Sequence, residues 1–333
     1  MSLLRYTANR LLQTIPVLIG LALLTFLLVN AMPGNPVDIM LAEVEADEEL
    51  VEALEQRYGL HEPLHERFIT YMAGLVQGDL GHSVYYNEPV STKIMERLPV
   101  TMLLVASAFT FAIATAIPLG VVAAKRRNKP TDHVSRVVAL IGVSTPSFWI
   151  GLVLIILFAF HLGWFPSSNL YLPWRGPDAY RGISSWPHLL FMTVYHLILP
   201  TIALGTLHMA TIMRIERAEM VNALQSEYIQ LARAYGVTER TIMRKHAFRV
   251  SQLPVVTIIG LNLTTALGGA VLIETVFSIN GLGRLIITAI QNLDYQLVLG
   301  TTIVFGVIFV IGVIITDLSY AYIDPRVSYG EET

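Results

Sequence analysis

The residues of this 333-residue chain best spaced for chemistry are His61, Glu62 and His65. His61-Glu62-Pro63-Leu64-His65 matches H-E-x-x-H, in which two imidazoles one helical turn apart hold zinc and the glutamate activates its bound water. Pro63 counts against that use, because proline is tolerated only in the first turn of a helix. No third ligand is nominated nearby, so the stretch reads better as a turn between two surface helices. A second chemistry, proton traffic, would use ionisable groups inside apolar segments. Those available are Glu274, Asp317, His196 and His208. Glu274 and Asp317 fall near helix ends, where a long polar side chain reaches water cheaply, and no inverted repeat is visible. A membrane metalloprotease and a secondary transporter are therefore distant alternatives. Nucleotide hydrolysis through a P-loop needs G-x-x-x-x-G-K-[ST], yet none of Lys93, Lys125, Lys129 and Lys245 follows a glycine. With no cysteine in the chain, disulfides, thiolate zinc sites and cysteine nucleophiles drop out together.

The elements that must carry these residues are apolar. Hydrophobic residues make up 54% of the chain and charged residues only 14%, with a mean hydropathy of +0.58. A soluble domain has about 25% charged residues, so the class is integral membrane protein. The net charge of −3 supplies no basic field for nucleic acid. Six intervals lack Asp, Glu, Lys and Arg altogether: 11–37, 98–124, 137–174, 182–213, 250–273 and 295–316. A spanning helix needs about 20 apolar residues, which places crossings near 11–31, 100–123, 137–160, 189–213, 253–276 and 297–321. The first is too long for the apolar region of a secretory signal and no A-x-A site follows, so it is read as retained. Most Lys and Arg fall in alternate segments around Arg5, Lys125–Arg136, Arg214–Arg249 and Arg326. The positive-inside rule puts those segments, and both termini, in the cytoplasm.

Between the crossings, residues 32–99 form a long external segment. It opens on a turn at Pro33-Gly34-Asn35-Pro36, followed by a helix from a cap at Asp47 to Gly59. A second amphipathic helix, Leu64 to Val76, carries Leu64, Phe68, Met72 and Leu75 on one face. This segment is a lid over the bundle, a docking surface for an external partner, or both. The loop 161–188 holds Trp164, Tyr171, Trp174, Tyr180 and Trp186, aromatics that suit the membrane interface better than a carbohydrate platform. Ala112, Ala116 and Gly120 form a small-residue stripe for close helix packing. Pro118, Pro146 and Pro200 interrupt their crossings. The cytoplasmic segment 214–250 contains a short helix pattern from Glu227, stopped by Gly236. Thr238 can cap a second helix bearing Arg240, Arg244 and Lys245. The result is a helix–glycine–helix elbow.

That elbow has a specific likeness. Glu227-Tyr228-Ile229-Gln230-Leu231-Ala232-Arg233-Ala234-Tyr235-Gly236, with His246-Ala247 and Leu253-Pro254-Val255-Val256-Thr257 downstream, resembles the EAA loop of ABC importer permeases. It is most similar to the dipeptide/oligopeptide/nickel group. Glu227 stands where Asp is usual, Leu231 where Thr is, and Tyr235 where Lys is. The opening from Arg10 to Pro36, the Gly78–Gly81 stretch, Ser144–Trp149 and Glu274–Arg284 also resemble the family, so the likeness runs along the whole chain. The short N-terminus and long first external loop are similar to the B-type subunit of its permease pair. This implies an all-α integral membrane protein with six transmembrane helices in the type I ABC importer permease fold. Its parts would be an N-terminus and first helix (1–31), an external helical loop subdomain (32–99), a transmembrane core (100–323) and a cytoplasmic tail (324–333). The implied function is a non-enzymatic permease of a bacterial or archaeal cytoplasmic (inner) membrane, importing dipeptides or oligopeptides. Nickel chelates, glutathione or oligosaccharides are the alternatives. The implied partners are a C-type permease, two ATPases carrying ATP and Mg, an extracytoplasmic binding protein and membrane lipid. No cofactor or metal is expected on this chain. The ATPase-coupling residues would be Glu227, Tyr228, Gln230, Leu231, Ala232, Arg233, Ala234 and Gly236, with Ile229, Leu231 and Ala232 as an apolar face. Asn262, Thr264, Thr265 and Glu274 are candidates for the lining of the pathway.

Overall fold

The computed structural model describes residues 3–31, 52 and 61–323, and the side chains of 11–31, 52 and 61–316. The expected turn at Pro33–Pro36, the helix from Asp47 to Gly59, the side chain of Asp317 and the tail 324–333 lie outside the described residues. Helix α1 is Leu3–Asn30 and α2 is Leu64–Val76. A hairpin of β1 (His82–Ser83) and β2 (Glu88–Pro89) follows, then α3, Val90–Lys125, and α4, Pro130–Ser144. Helix α5, Ser147–Leu154, widens into a π turn over Ile155–His161. Next come α6, Trp186–Gln225, and α7, Glu227–Ala234. The core closes with α8, Phe248–Val276, α9, Leu282–Gln291, and α10, Tyr295–Ile323.

Five helical runs are long and apolar enough to cross a membrane, and the bent pair α4–α5 makes a sixth if it crosses once. Helix packing decides that question. Ser107 of α3 meets Thr201 of α6 at 2.7 Å. Farther along, Gly205 lies against Ala108 and Phe111, and Gly120 against Met213 and Glu216. Numbers rise together on both helices, so α3 and α6 run parallel. The chain between them must therefore return from the Lys125 end to the Trp186 end, and α4–α5 is a crossing. It is not the single helix expected over 137–160, however, but is bent by 105°. The reason is Pro146, which disfavours helical geometry at the residue before it; Thr145 is extended, with φ −97° and ψ 126°.

The other crossings alternate. Gln252 of α8 pairs with Glu216, while Gly269 approaches Leu204, an antiparallel pairing. Gly260 and Gly312 set α8 against α10 through Thr316 and Thr264, and Gly306 of α10 receives Leu18 and Leu21 of α1. The expected stripe is buried: Ala112 and Ala116 pack with Ala139, Met209 and Met213. At Gly120 a Cβ would come within 2.8 Å of the Glu216 side chain and 3.1 Å of the Met213 carbonyl, so only glycine allows this approach.

Helix α3 begins ten residues earlier than the expected second crossing. Its first turns project past the apolar core and satisfy their charges locally. Lys93 pairs with Glu88 at 3.0 Å, and Arg175 pairs with Glu96 at 2.9 Å. Helix α2 forms where expected, but Leu64 is exposed. Phe68 of the expected face does make contact, and Tyr71 joins it, against Phe26 of α1. The hairpin departs from the all-α expectation. It is held by buried Asp294, whose carboxylate accepts from Ser83 Oγ at 2.5 Å, Tyr85 N–H at 3.1 Å and Leu297 N–H at 3.2 Å. The last bond also caps α10. Asp294→Ala leaves buried donors unpaired and should cost about 2–3 kcal/mol. Thermal unfolding of the purified protein should show that loss, with Asp294→Asn losing less.

Candidate coupling elbow and pathway residues

The elbow grows from local rules. After Gln225 the backbone of Ser226 is extended, with φ −67° and ψ 152°. Its hydroxyl donates to Ala223 O at 2.6 Å, and its carbonyl accepts from Ile229 N–H at 3.1 Å to open α7. The helix closes on Gly236. Gly236 N–H donates to Arg233 O at 2.9 Å and Val237 N–H to Ala232 O at 3.1 Å, the bond pair of a Schellman motif. Gly236 has φ +79°, where a side chain is strained. A Cβ there would meet nothing within 4 Å, so the glycine serves the turn and not, within this chain, a close backbone approach. Arg233 donates to Glu239 at 2.7 Å and to Leu224 O at 3.4 Å. Glu239 raises the already high pKa of the guanidinium. Both groups are exposed, so their bond shapes the elbow more than it stabilises it.

Ile229 seats the helix. It is fully buried and clusters with Ala124, Met220, Ala223, Ile242 and Ala247. These come from α3, from α6 and from the π turn Ile242–Ala247 that leads into α8. The expected apolar face of Ile229, Leu231 and Ala232 is thus corrected: Ile229 faces its own chain and Ala232 is half-buried. The outward stripe is Tyr228, Leu231 and Tyr235, exposed by 42%, 57% and 80%. Tyr228 and Leu231, at i and i+3, share one side of the helix, and Tyr235 extends that side at the C-cap. Glu227, Gln230 and Ala234 are exposed around it. Beside the elbow, Arg217 of α6 grips fully buried Asp132 of α4 through two bonds of 2.5 and 2.8 Å. Asn128 N–H adds a third bond at 2.9 Å. The sequence reading missed this pair, because its members lie 85 residues apart.

The four pathway candidates are not brought together. Thr264 borders a cleft of about 410 Å³ between α1, α8 and α10, with Leu21 and Phe305. Thr265 is exposed and donates to Asn262 O at 3.1 Å. The Asn262 amide nitrogen is buried without a hydrogen-bond partner among the described residues. Glu274 stands apart. It is fully buried, accepting from Thr101 at 2.6 Å and from Arg284 N–H at 3.0 Å. Thr101 in turn accepts from Leu282 N–H at 2.8 Å. Glu274 therefore does not snorkel; it anchors the start of α9, and Gly281 and Gly283 leave the room its carboxylate occupies. Of the zinc-like motif, His61 lies in a turn and the helix begins only at Leu64, so His61 and His65 do not share a helical face. Among the described residues no group of three or more His, Cys, Asp or Glu is placed to hold a metal.

Six helical crossings, with a packed elbow between the fourth and fifth, are the architecture of a multi-pass membrane subunit. The chain belongs to the binding-protein-dependent transport system inner membrane component family, whose model matches residues 116–329; the family's N-terminal model matches residues 3–105. It is 38% identical to a dipeptide transport system permease protein of Alkalihalophilus pseudofirmus, covering 98% of this chain and 100% of that one. It is 35% identical to an oligopeptide transport system permease protein of Bacillus subtilis, over 97% and 99%. A glutathione transport system permease protein of Escherichia coli is also 35% identical, over 98% and 100%. A solved structure of the MetNI methionine ABC transporter shares the fold, with a TM-score of 0.51 at 15% identity, covering 70% of this chain and 96% of that one. The protein is a multi-pass inner-membrane permease subunit of an ABC importer. ATP hydrolysis belongs to a separate subunit.

Proposed function

We propose that the chain imports dipeptides and short oligopeptides as one half of a permease heterodimer with a related C-type subunit. Two ATPases dock on its α7 and the partner's counterpart, an extracytoplasmic binding protein delivers the peptide, and both termini are cytoplasmic. Peptide as the cargo is supported by similarity to dipeptide and oligopeptide permeases over nearly the full chain. The glutathione permease relative supports a second reading within the same chemistry, a small peptide with free carboxylates. ATP and Mg stay on the ATPases, and this chain holds no cofactor of its own.

One observation carries the coupling role: an outward stripe of Tyr228, Leu231 and Tyr235 on a helix that Ile229 pins to α3, α6 and the start of α8. A surface so exposed and apolar suits a groove on another subunit. Helix α6 has 40 residues, about 60 Å at the α-helical rise, so displacement at the elbow is carried through the bundle. ATP shifts the inward–outward equilibrium only by contacting the two states differently. Reconstituted with its partners, the permease should accumulate a labelled dipeptide only when ATP and binding protein are supplied. Uptake driven by a proton gradient without ATPases would contradict the proposal.

Gly236 gives a graded check. Asn tolerates positive φ and Val does not. Gly236→Asn should keep most uptake, whereas Gly236→Val should lower it several-fold at equal membrane levels, measured as initial transport rate.

A further inference from the structure

A groove of about 280 Å³ runs between α4 and α6, near the elbow. The two helices are antiparallel there, because Asp132 meets Arg217 at one end and Gly142 meets Ala210 farther in. Arg136, Arg214 and Arg217 therefore gather at the basic end of the groove, and Ala139, Val143 and Met213 line it toward the membrane interior. Three guanidiniums face one carboxylate. Asp132 is taken up by Arg217 at 2.5 Å, while Arg136 stands 3.9 Å from it and places one guanidinium nitrogen 2.7 Å from His133 Nδ1. The exposed Arg214 side chain makes no hydrogen bond or ion pair among the described residues. The nearest acid on α6, Glu216, is turned to the opposite face, buried against Gly120 and bonded to Gln252. Leu140 on the wall of the groove and Val137 and Ile141 of α4 beside it are exposed by 67%, 55% and 59%, an outward apolar surface suited to hydrocarbon.

We propose that this groove binds one anionic phospholipid. Its phosphate sits between Arg136 and Arg214, and an acyl chain lies along Ala139, Val143 and Met213. Charge selects the headgroup, since guanidiniums pair with phosphate oxygens. The apolar wall, continuous with the exposed face of α4, selects a lipid over a soluble anion. The bound lipid would brace α4 against α6 next to the Asp132–Arg217 pair.

The test uses the assembled transporter, exchanged into mixed phosphatidylcholine–phosphatidylglycerol nanodiscs and released for native mass spectrometry. Wild type should retain phosphatidylglycerol in preference to phosphatidylcholine. Arg136→Gln with Arg214→Gln should lower that retention about tenfold or more. Arg126→Gln with Arg127→Gln, in the exposed loop before α4, should leave it unchanged. The single change Arg214→Gln removes no internal bond and should already lower retention, so misfolding of the double variant would not hide the result. Equal retention of both lipids by wild type, or equal loss from the groove and loop variants, would overturn the site. Retention by the isolated chain but not by the assembled transporter would also overturn it, by showing that another subunit covers the groove.

Discussion

Leu231→Asp is expected to leave the permease in the membrane at normal levels while stripping it of its ATPases and abolishing uptake. Leu231 is 57% exposed at the centre of the Tyr228–Leu231–Tyr235 stripe. Within the isolated chain a carboxylate there stays in water and disturbs nothing, as most exposed substitutions do. Docked in an apolar groove, the same carboxylate has no partner and costs several kcal/mol, which weakens binding by orders of magnitude. Co-purification of the ATPase with tagged permease reads the first effect, and peptide accumulation reads the second. Tyr228→Ala and Tyr235→Ala should act in the same direction more weakly.

The second large effect is on folding. Asp132→Ala should destabilise the protein by about 3 kcal/mol, because it leaves Arg217, only 20% exposed, without its bidentate partner. The double change Asp132→Leu with Arg217→Met should recover most of that loss, since neither charge is then stranded. Thermal unfolding of the purified permease measures both. If the single and double variants melt alike, the ion pair does not hold α4 on α6.

How much of this could be read beforehand follows from what each feature depends on. The crossings were legible because a charge is costly in hydrocarbon, so charge-free intervals mark them. Helix ends were not, because α3 continues outward from the membrane on residues such as Lys93 and Glu96, whose charges are met by neighbours. Pro146 announced an interruption, but the 105° bend depends on packing, with Gly142 against Ala210 and Gly151 against Ala203 and Phe277. Helix α9 has a signal in the sequence, since Leu282, Leu285 and Ala289 recur at helical spacing and are buried. The elbow was visible as a helix stopped by glycine, yet its faces were not. Ile229 and Leu231 are equally apolar, and only Met220, Ile242 and Ala247 decide that Ile229 turns inward. Glu274 looked like a lone acid at a helix end because Thr101, its partner, lies 173 residues away.

The most direct test of ATPase docking on α7 exploits the absence of cysteine from this chain. Leu231→Cys provides this chain with a single thiol, to which a maleimide–benzophenone probe can be attached before the permease is assembled with its ATPases. Illumination should join this chain to an ATPase subunit, whereas the same probe on Leu140→Cys, exposed on α4, should give no such product. An active transporter in which the Leu231 probe never reaches an ATPase would contradict the account.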